Sequence, residues 1–110
     1  MTYIFLLRND ASAARNMLLS GTKGAVAQAE LLRRLGATEV KQFAVTGRFD
    51  AVVIADLPSQ QAALAFSLGA TSEGQYVELL PAHSAEDVDE ARRLAEEAVA
   101  LPDSYVQHDG

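Results

Sequence analysis

The chain contains no cysteine among its 110 residues. This absence excludes disulfide bonds, thiolate nucleophiles, iron–sulfur clusters and zinc sites built on cysteine, and it is typical of a reducing compartment. The two histidines, His83 and His108, are far apart, and one of them lies in the last residues of the chain. Because a metal needs several converging ligands, we predict no metal site, and no sequence feature predicts a cofactor.

Positive charge is also scarce. Nine Lys and Arg stand against fifteen Asp and Glu, for a formal net charge of −6. Such a chain offers no basic surface to neutralise phosphates, so we expect no nucleic-acid partner. The N-terminal apolar run TYIFLL stops at Arg8, far short of the roughly 20 residues of a membrane span, and it lacks the basic start of a signal peptide. We therefore expect no membrane partner and a cytoplasmic location.

The composition that remains is that of a globular protein. Hydrophobic residues make up 49% of the chain and charged residues 22%. A chain of this length forms one domain and buries roughly two-thirds of its unfolded surface. We predict a single domain over residues 1–101 and a flexible tail over 102–110, because the tail has no periodicity.

Four strands and three helices are predicted from periodicity and from breaking residues. The strands are 3–8, 37–46, 49–57 and 75–80, the middle two joined in a hairpin at Gly47 and the last closed by Pro81. Residues 9–24 read as a loop with at most a helical turn. The helices are 25–35, 60 to about 68 with Ser59 as N-cap and Gly69 as stop, and one that starts at Ser84 with Asp87 in a capping box.

The order βαββαβ, followed by an extra helix, predicts an α+β fold of the ferredoxin-like type. Its antiparallel sheet carries helices on one face, with a C-terminal helix in addition. Right-handed crossovers place strands 1 and 3 at the centre, where we expect these two to run parallel. Strands 2 and 4 are expected at the edges.

Both central strands are apolar on both faces. In strand 1, Ile4 and Leu6 oppose the side chains Tyr3, Phe5 and Leu7. In strand 3, Val52 and Ile54 likewise oppose Phe49, Ala51, Val53 and Ala55. The crossover helices can cover one face only, so the other is covered by the C-terminal helix, covered by a second copy, or left in water. We predict a homodimer or higher oligomer, with the sheets facing each other or joined at an edge.

Candidate binding residues follow from the expected strand directions. The start of strand 3 is expected beside the end of strand 4, which would bring Arg48 and Asp50 close to His83, with Tyr3 nearby. An imidazole beside a guanidinium can bind an anion or move a proton. The alternatives are a loop histidine, a solvated turn arginine, and an Asp50 that fixes the hairpin by accepting backbone N–H bonds. Of the four residues, we take His83 as functional and Asp50 as mainly structural.

A second candidate binding site lies at the opposite edge of the sheet, where Arg8, Asn9 and Asp10 are expected near Asp56. The alternative is that these residues form an ordinary strand end.

The stretch TGRFDAVVIADLP, the helix ending AFSLGA and the start MTYIFLLRN resemble the GYD domain family over roughly residues 1–95. Gly47 and Asp50 match the Gly-Tyr-Asp signature for which that family is named, and Phe49 stands in the tyrosine position without its hydroxyl. The resemblance implies a small ferredoxin-like αβ domain of uncharacterised activity. The family in turn resembles the dimeric αβ-barrel domains, and this second resemblance implies assembly more than chemistry.

Three functions remain open from the sequence. The first is a self-associating domain that binds a small molecule at a subunit interface or in a cavity between sheet and helices. The alternative is a cofactor-independent enzyme of the dimeric αβ-barrel type, a monooxygenase or isomerase, using His83, Arg48 or Asp50 in such a cavity. The third is a scaffold without a ligand. An enclosed apolar cavity with His83 pointing into it would favour the enzyme.

Overall fold

Four strands and four helices make up residues 1–100, which are the residues that the structure, a computed structural model, describes. The strands are β1 (Thr2–Asn9), β2 (Glu39–Ala44), β3 (Ala51–Asp56) and β4 (Gln75–Ala82). The helices are α1 (Ala11–Ser20), α2 (Lys23–Arg34), α3 (Gln60–Ser72) and α4 (Ala85–Ala98). Every predicted strand and helix is present, and α1 is additional. The tail predicted over 102–110 lies outside the described residues.

The strands form one antiparallel sheet in the order β2-β3-β1-β4. The α+β class and the central position of β1 and β3 are as predicted, and the arrangement is consistent with a ferredoxin-like topology. The expected parallel pairing of β1 with β3 is wrong, since Thr2 lies opposite Asp56 and Leu7 opposite Ala51. The crossover through α1 and α2 makes β2 parallel to β1, and the hairpin then reverses the chain into β3.

One face of the sheet, the covered face, packs against α2 and α3 and holds the core. Phe5 and Phe66 meet edge to face, with ring centroids 4.6 Å apart and planes at 69°. This geometry adds about 0.5–1.5 kcal/mol to what burial contributes. The alternation predicted for β1 and β3 is confirmed within the two strands. Phe49, predicted on the same side as Val53, precedes β3 and is not in the core, so that part of the prediction is wrong. The buried set comprises Tyr3, Phe5, Leu7, Leu32, Val53, Ala55, Leu57, Ala62, Ala63, Phe66 and Ala70.

The opposite face, the open face, is formed by the alternate side chains of the same strands. Ile4 stands between Ile54 and Leu80 in register, so the centre of the face is apolar. Ile4 and Ile54 are half-buried by their neighbours in the sheet, whereas Leu80 and, at the β2 edge, Phe43 are 42% and 53% exposed. Neither α1 nor α4 shields this face, because neither helix has a buried residue.

Helix α1 replaces the loop predicted over residues 9–24. It begins at Asp10, whose carboxylate accepts the N–H of Ala13 at 2.8 Å, and it ends at Gly21 with φ +61°. Asp10 is a favoured N-cap and the alanines that follow are strong helix formers. Because α1 buries no residue, no apolar periodicity marks it in the sequence.

Helix α3 begins where predicted, at Ser59, whose hydroxyl accepts the N–H of Ala62 at 3.1 Å. The predicted stop at Gly69 is wrong, because the helix continues to Ser72. A Cβ at Gly69 would lie 3.1 Å from Leu31 Cδ2, so this glycine allows α2 and α3 to approach closely.

Strand β4 also runs further than predicted, through Pro81 to Ala82. An edge strand has one side without a neighbouring strand, so proline's missing N–H is tolerated there.

Helix α4 starts with the predicted capping box. The Ser84 hydroxyl accepts the N–H of Asp87 at 3.1 Å, and the Asp87 carboxylate accepts the N–H of Ser84 at 3.2 Å. None of its residues is buried, and the apolar side chains Val88 and Leu94 are exposed. Within residues 1–100, α4 therefore has an amphipathic pattern whose apolar side packs against nothing.

Candidate functional site

A groove lies at one end of the open face, where β1 ends and β4 begins. We call it the arginine groove. Its volume is about 190 Å³. The side chains around it are two arginines, two aromatic residues, one valine and one glutamate: Arg8, Arg48, Phe49, Tyr76, Val77 and Glu78.

The sheet positions two of these side chains directly. Arg8 and Tyr76 are paired residues of β1 and β4, on the same face as Leu6. The Arg8 guanidinium carbon lies 5.2 Å from the centroid of the Tyr76 ring, which is within the range of a cation–π contact. Tyr76 is nevertheless 61% exposed, so much of its ring remains accessible to a ligand.

The connection over residues 45–50 positions the other arginine. The hairpin is confirmed by the β2–β3 pairing, but its turn is longer than the tight turn predicted at Gly47 and Arg48. Gly47 has φ +127°, a conformation that favours glycine. Arg48 follows it, with its guanidinium carbon 6.0 Å from the centroid of the Phe49 ring.

Asp50 anchors this connection to the sheet. Its carboxylate Oδ2 accepts the backbone N–H of Asn9 at 2.8 Å, and its own N–H donates to the carbonyl of Leu7 at 2.8 Å. Its carbonyl accepts the N–H of Val45 at 3.0 Å. These bonds agree with the structural role predicted for Asp50, although its carboxylate binds β1 rather than its own hairpin.

The two arginines of the groove differ from three others on the surface, although Arg15 and Arg33 likewise form no ion pair within residues 1–100. Arg34, Arg92 and Arg93 each pair with a carboxylate of their own helix. Within residues 1–100, Arg8 and Arg48 form no ion pair and donate no side-chain hydrogen bond. With Glu78 beside them, the groove carries two positive charges and one negative charge, a net charge of one positive.

The structure does not bring the four predicted site residues together. Arg48 and Asp50 lie at the Leu7 end of β1, whereas His83 follows Ala82, which pairs with Thr2 at the other end. The expected proximity of Arg48 and His83 is wrong because β3 runs antiparallel to β1. Tyr3 is a core residue, 1% exposed, with its hydroxyl 3.5 Å from the Met1 sulfur.

The expected proximity of Arg8, Asn9 and Asp10 to Asp56 is wrong for the same reason. The three residues lie at the Arg48 end, and Asp56 lies at the other. There, a second groove of about 190 Å³ on the open face is lined by Thr2, Glu39, Lys41, Ile54 and Asp56.

Asp56 is held by the start of the chain. The Met1 ammonium group lies 2.8 Å from its Oδ1 and lowers the pKa of this carboxyl below its ordinary value of 3.8. A hydrogen bond from the Thr38 hydroxyl acts in the same direction. The two grooves of the open face therefore differ in charge, one being rich in arginine and the other holding two carboxylates.

Sequence reasoning missed the pairing of Arg8 with Tyr76 and so missed the groove. The sequence contained a signal for this pairing. Arg8 and Tyr76 each lie near a polar end of their strand, at a position that alternation assigns to the open face. An antiparallel alignment of β1 with β4 would have placed them side by side.

Two further features are absent from residues 1–100. No group of three or more His, Asp or Glu side chains there could hold a metal ion. No helix there is long and apolar enough to cross a membrane.

Comparison with known proteins places the chain in a family. No curated protein matches it. The model of the GYD domain matches residues 3–92, which is most of the chain and includes both central strands, the Gly47–Asp50 connection and the start of α4. The chain therefore belongs to the GYD domain family.

Proposed function

We propose that this protein is a self-associating domain in which a second copy covers the open face and a small molecule is held at the margin of that interface. The observation that carries the proposal is the apolar centre of the open face. Ile4, Leu6, Val52 and Ile54 are only half-buried, although they lie in the middle of the sheet. A contiguous apolar surface of this kind marks an interaction site.

The second copy is the favoured partner because the sheet is antiparallel and the centre of its open face is apolar. Two such faces can stack about 10 Å apart and interdigitate their side chains. Four strands at their usual spacing and six paired residues of strand cover roughly 400 Å² in projection. A standard interface buries about 800 Å² per partner. The open face is therefore small for a stable dimer on its own, and the uncovered apolar side of α4 is available to supply more contact area.

The arginine groove lies at the end of this same face. It is open on one side, and its volume of about 190 Å³ is below the roughly 300–1,000 Å³ of sites for drug-sized ligands. A second copy stacked on the open face would close the groove. This position supports a ligand site at the subunit boundary.

The alternative of an αβ-barrel enzyme receives less support from the geometry. It required His83, Arg48 or Asp50 in a cavity between sheet and helices. Both grooves lie on the open face, His83 is exposed far from Arg48, and the Asp50 carboxylate is engaged by a backbone N–H. Within residues 1–100 these three residues form no assembled catalytic set.

Sedimentation equilibrium at micromolar concentration tests the assembly. We expect at least twice the monomer mass of 11.7 kDa. Ile54→Lys places a charge at the centre of the open face and should give a folded monomer. Leu68→Lys is the matched control, because Leu68 is an exposed aliphatic residue on α3 and its replacement should leave the mass unchanged. A parent protein that sediments at the monomer mass would refute the proposal.

A further inference from the structure

We propose that the arginine groove binds a small monocarboxylate carried on a flat apolar body, such as an aromatic carboxylate, with Arg8 and Arg48 as its anion-binding residues. The inference deepens the proposed function and rests on it for the idea that the open face holds a small molecule. The groove itself is built by one chain.

The positive charges of the groove are available to a ligand. The protein carries a net charge of −6, so acidic side chains outnumber basic ones over the whole chain. Among the arginines without a carboxylate partner in residues 1–100, Arg8 from β1 and Arg48 from the 45–50 connection share one groove. Arg15 and Arg33, which are also unpaired, lie exposed on α1 and α2. A planar guanidinium presents several N–H donors that match a carboxylate in a bidentate geometry.

The aromatic residues explain why the arginines are held in place. Arg8 lies over the Tyr76 ring and Arg48 lies beside the Phe49 ring, at 5.2 and 6.0 Å. Contact with a ring face restricts the guanidinium without using its N–H donors, and so lowers the entropy lost when a ligand binds. The same rings offer an apolar wall to the body of the ligand.

The net charge of the groove distinguishes a carboxylate from a phosphate. Glu78 lines the groove together with the two arginines, which leaves one net positive charge. A monoanion matches this balance, whereas a dianionic phosphate would place its second charge near the Glu78 carboxylate. The groove volume of about 190 Å³ further restricts the ligand to a small molecule.

Titration of the ¹⁵N-labelled protein with sodium benzoate, at constant ionic strength, tests the inference. We expect saturable amide shifts at residues 8, 48–49 and 76–78. Benzamide, which has the same ring without the charge, should produce no saturable shift there. Inorganic phosphate should bind more weakly than benzoate.

Three variants, each with one positive charge fewer, assign the site. Arg8→Gln and Arg48→Gln should each weaken benzoate binding about tenfold, the usual effect of losing one charge-assisted hydrogen bond. Arg33→Gln is the matched control, since Arg33 is an exposed residue in the last turn of α2, and it should leave the affinity unchanged. Equal binding of benzamide, tighter binding of phosphate, or no loss in the two groove variants would each overturn the inference.

Sedimentation of the same samples separates this inference from the proposed assembly. A dimer that fails to bind benzoate overturns the groove and leaves the assembly intact. A monomer that binds benzoate through both arginines supports the groove and overturns the assembly. If Arg8→Gln and Arg48→Gln dissociate the dimer while the parent binds no benzoate, the arginines are contacts to carboxylates of the second copy, and the ligand site is refuted.

Discussion

The two faces of the sheet are built from the same four strands, yet they end in different surroundings. On the covered face, Phe5 and Val53 are fully enclosed by α2 and α3. On the open face, their neighbours Leu6 and Val52 are equally apolar and remain partly exposed. Apolar residues on both sides of a strand therefore do not show what covers each side.

The comparison also separates two kinds of hydrophobic surface. Burial on the covered face is part of folding, because the helices belong to the same chain. Burial on the open face requires association, and its free energy depends on protein concentration. Substitutions on the two faces should therefore affect different measurements, stability on one side and assembly on the other.

Val53→Asp should break the covered face and have the largest effect. It would bury a carboxylate with no partner, so we expect a loss of about 5 kcal/mol in the free energy of unfolding. Val52→Asp, one residue away on the open face, should cost less than about 1 kcal/mol and should abolish self-association. Denaturant unfolding of both variants measures the difference, and equal losses would show that the two faces do not differ in burial.

Phe66→Ala should cost about 4 kcal/mol, because it removes a ring that packs against Phe5 and leaves a cavity between α3 and the sheet. Phe43→Ala is the counterpart on the open face, where the ring is already 53% exposed, and it should cost less than about 1 kcal/mol. Urea unfolding midpoints provide the measurement. A comparable loss at Phe43 would mean that its ring contributes to a packed core.

Asp50→Ala should cost about 1–3 kcal/mol, since it leaves the half-buried N–H of Asn9 without its acceptor. His83→Ala should change stability by no more than about 0.5 kcal/mol, because His83 is an exposed residue between β4 and α4. Thermal melting of the two variants compares them. The reverse order would make His83 a structural residue and contradict the anchoring role of Asp50.

The smallest effect is expected at Asp56, a residue of the open face whose side chain is 43% exposed. Its pKa is lowered in the folded protein, so the ion pair with the Met1 ammonium stabilises the fold above the unfolded pKa of 3.8 and is lost as the pH falls through the lower, folded pKa. The melting temperature of Asp56→Asn should therefore be slightly below that of the parent at neutral pH. The difference should vanish in acid, and a difference that persists there would rule out the ion pair as its cause.

Much of the fold was predictable because local chemistry determines it. Ser59 and Ser84 are strong N-caps, and the alternation in β1 and β3 reflects the period of a strand. Gly69 and Pro81 gave wrong ends for α3 and β4. Glycine often ends a helix but also allows close helix packing, and proline often ends a strand but is also tolerated in an edge strand. Helix α1 was missed because it contributes no apolar face to the core.

The site was less predictable because it depends on strand direction. A single reversal of β3 relative to β1 moves Arg48 from the end of the sheet that holds His83 to the end that holds Arg8 and Tyr76. Local periodicity contains no information on that direction. It follows from the crossover, which makes β2 parallel to β1, together with the predicted hairpin, which reverses β3. Of the four predicted binding residues, Arg48 alone lines the groove. Arg8, which was expected at a separate site near Asp56, lines it too.

Helix α4 has a consequence for hydrogen exchange. Its 14 residues are near the limit of roughly 12–15 below which an isolated helix is marginal in water, and among residues 1–100 it has no packed partner. Its amide protons should therefore exchange by local opening at far lower free energy than those of β1, which is bonded on both sides. Any partner that covers the apolar side of α4 must slow that exchange. The α4 amides therefore report, residue by residue, whether a partner is bound to this helix.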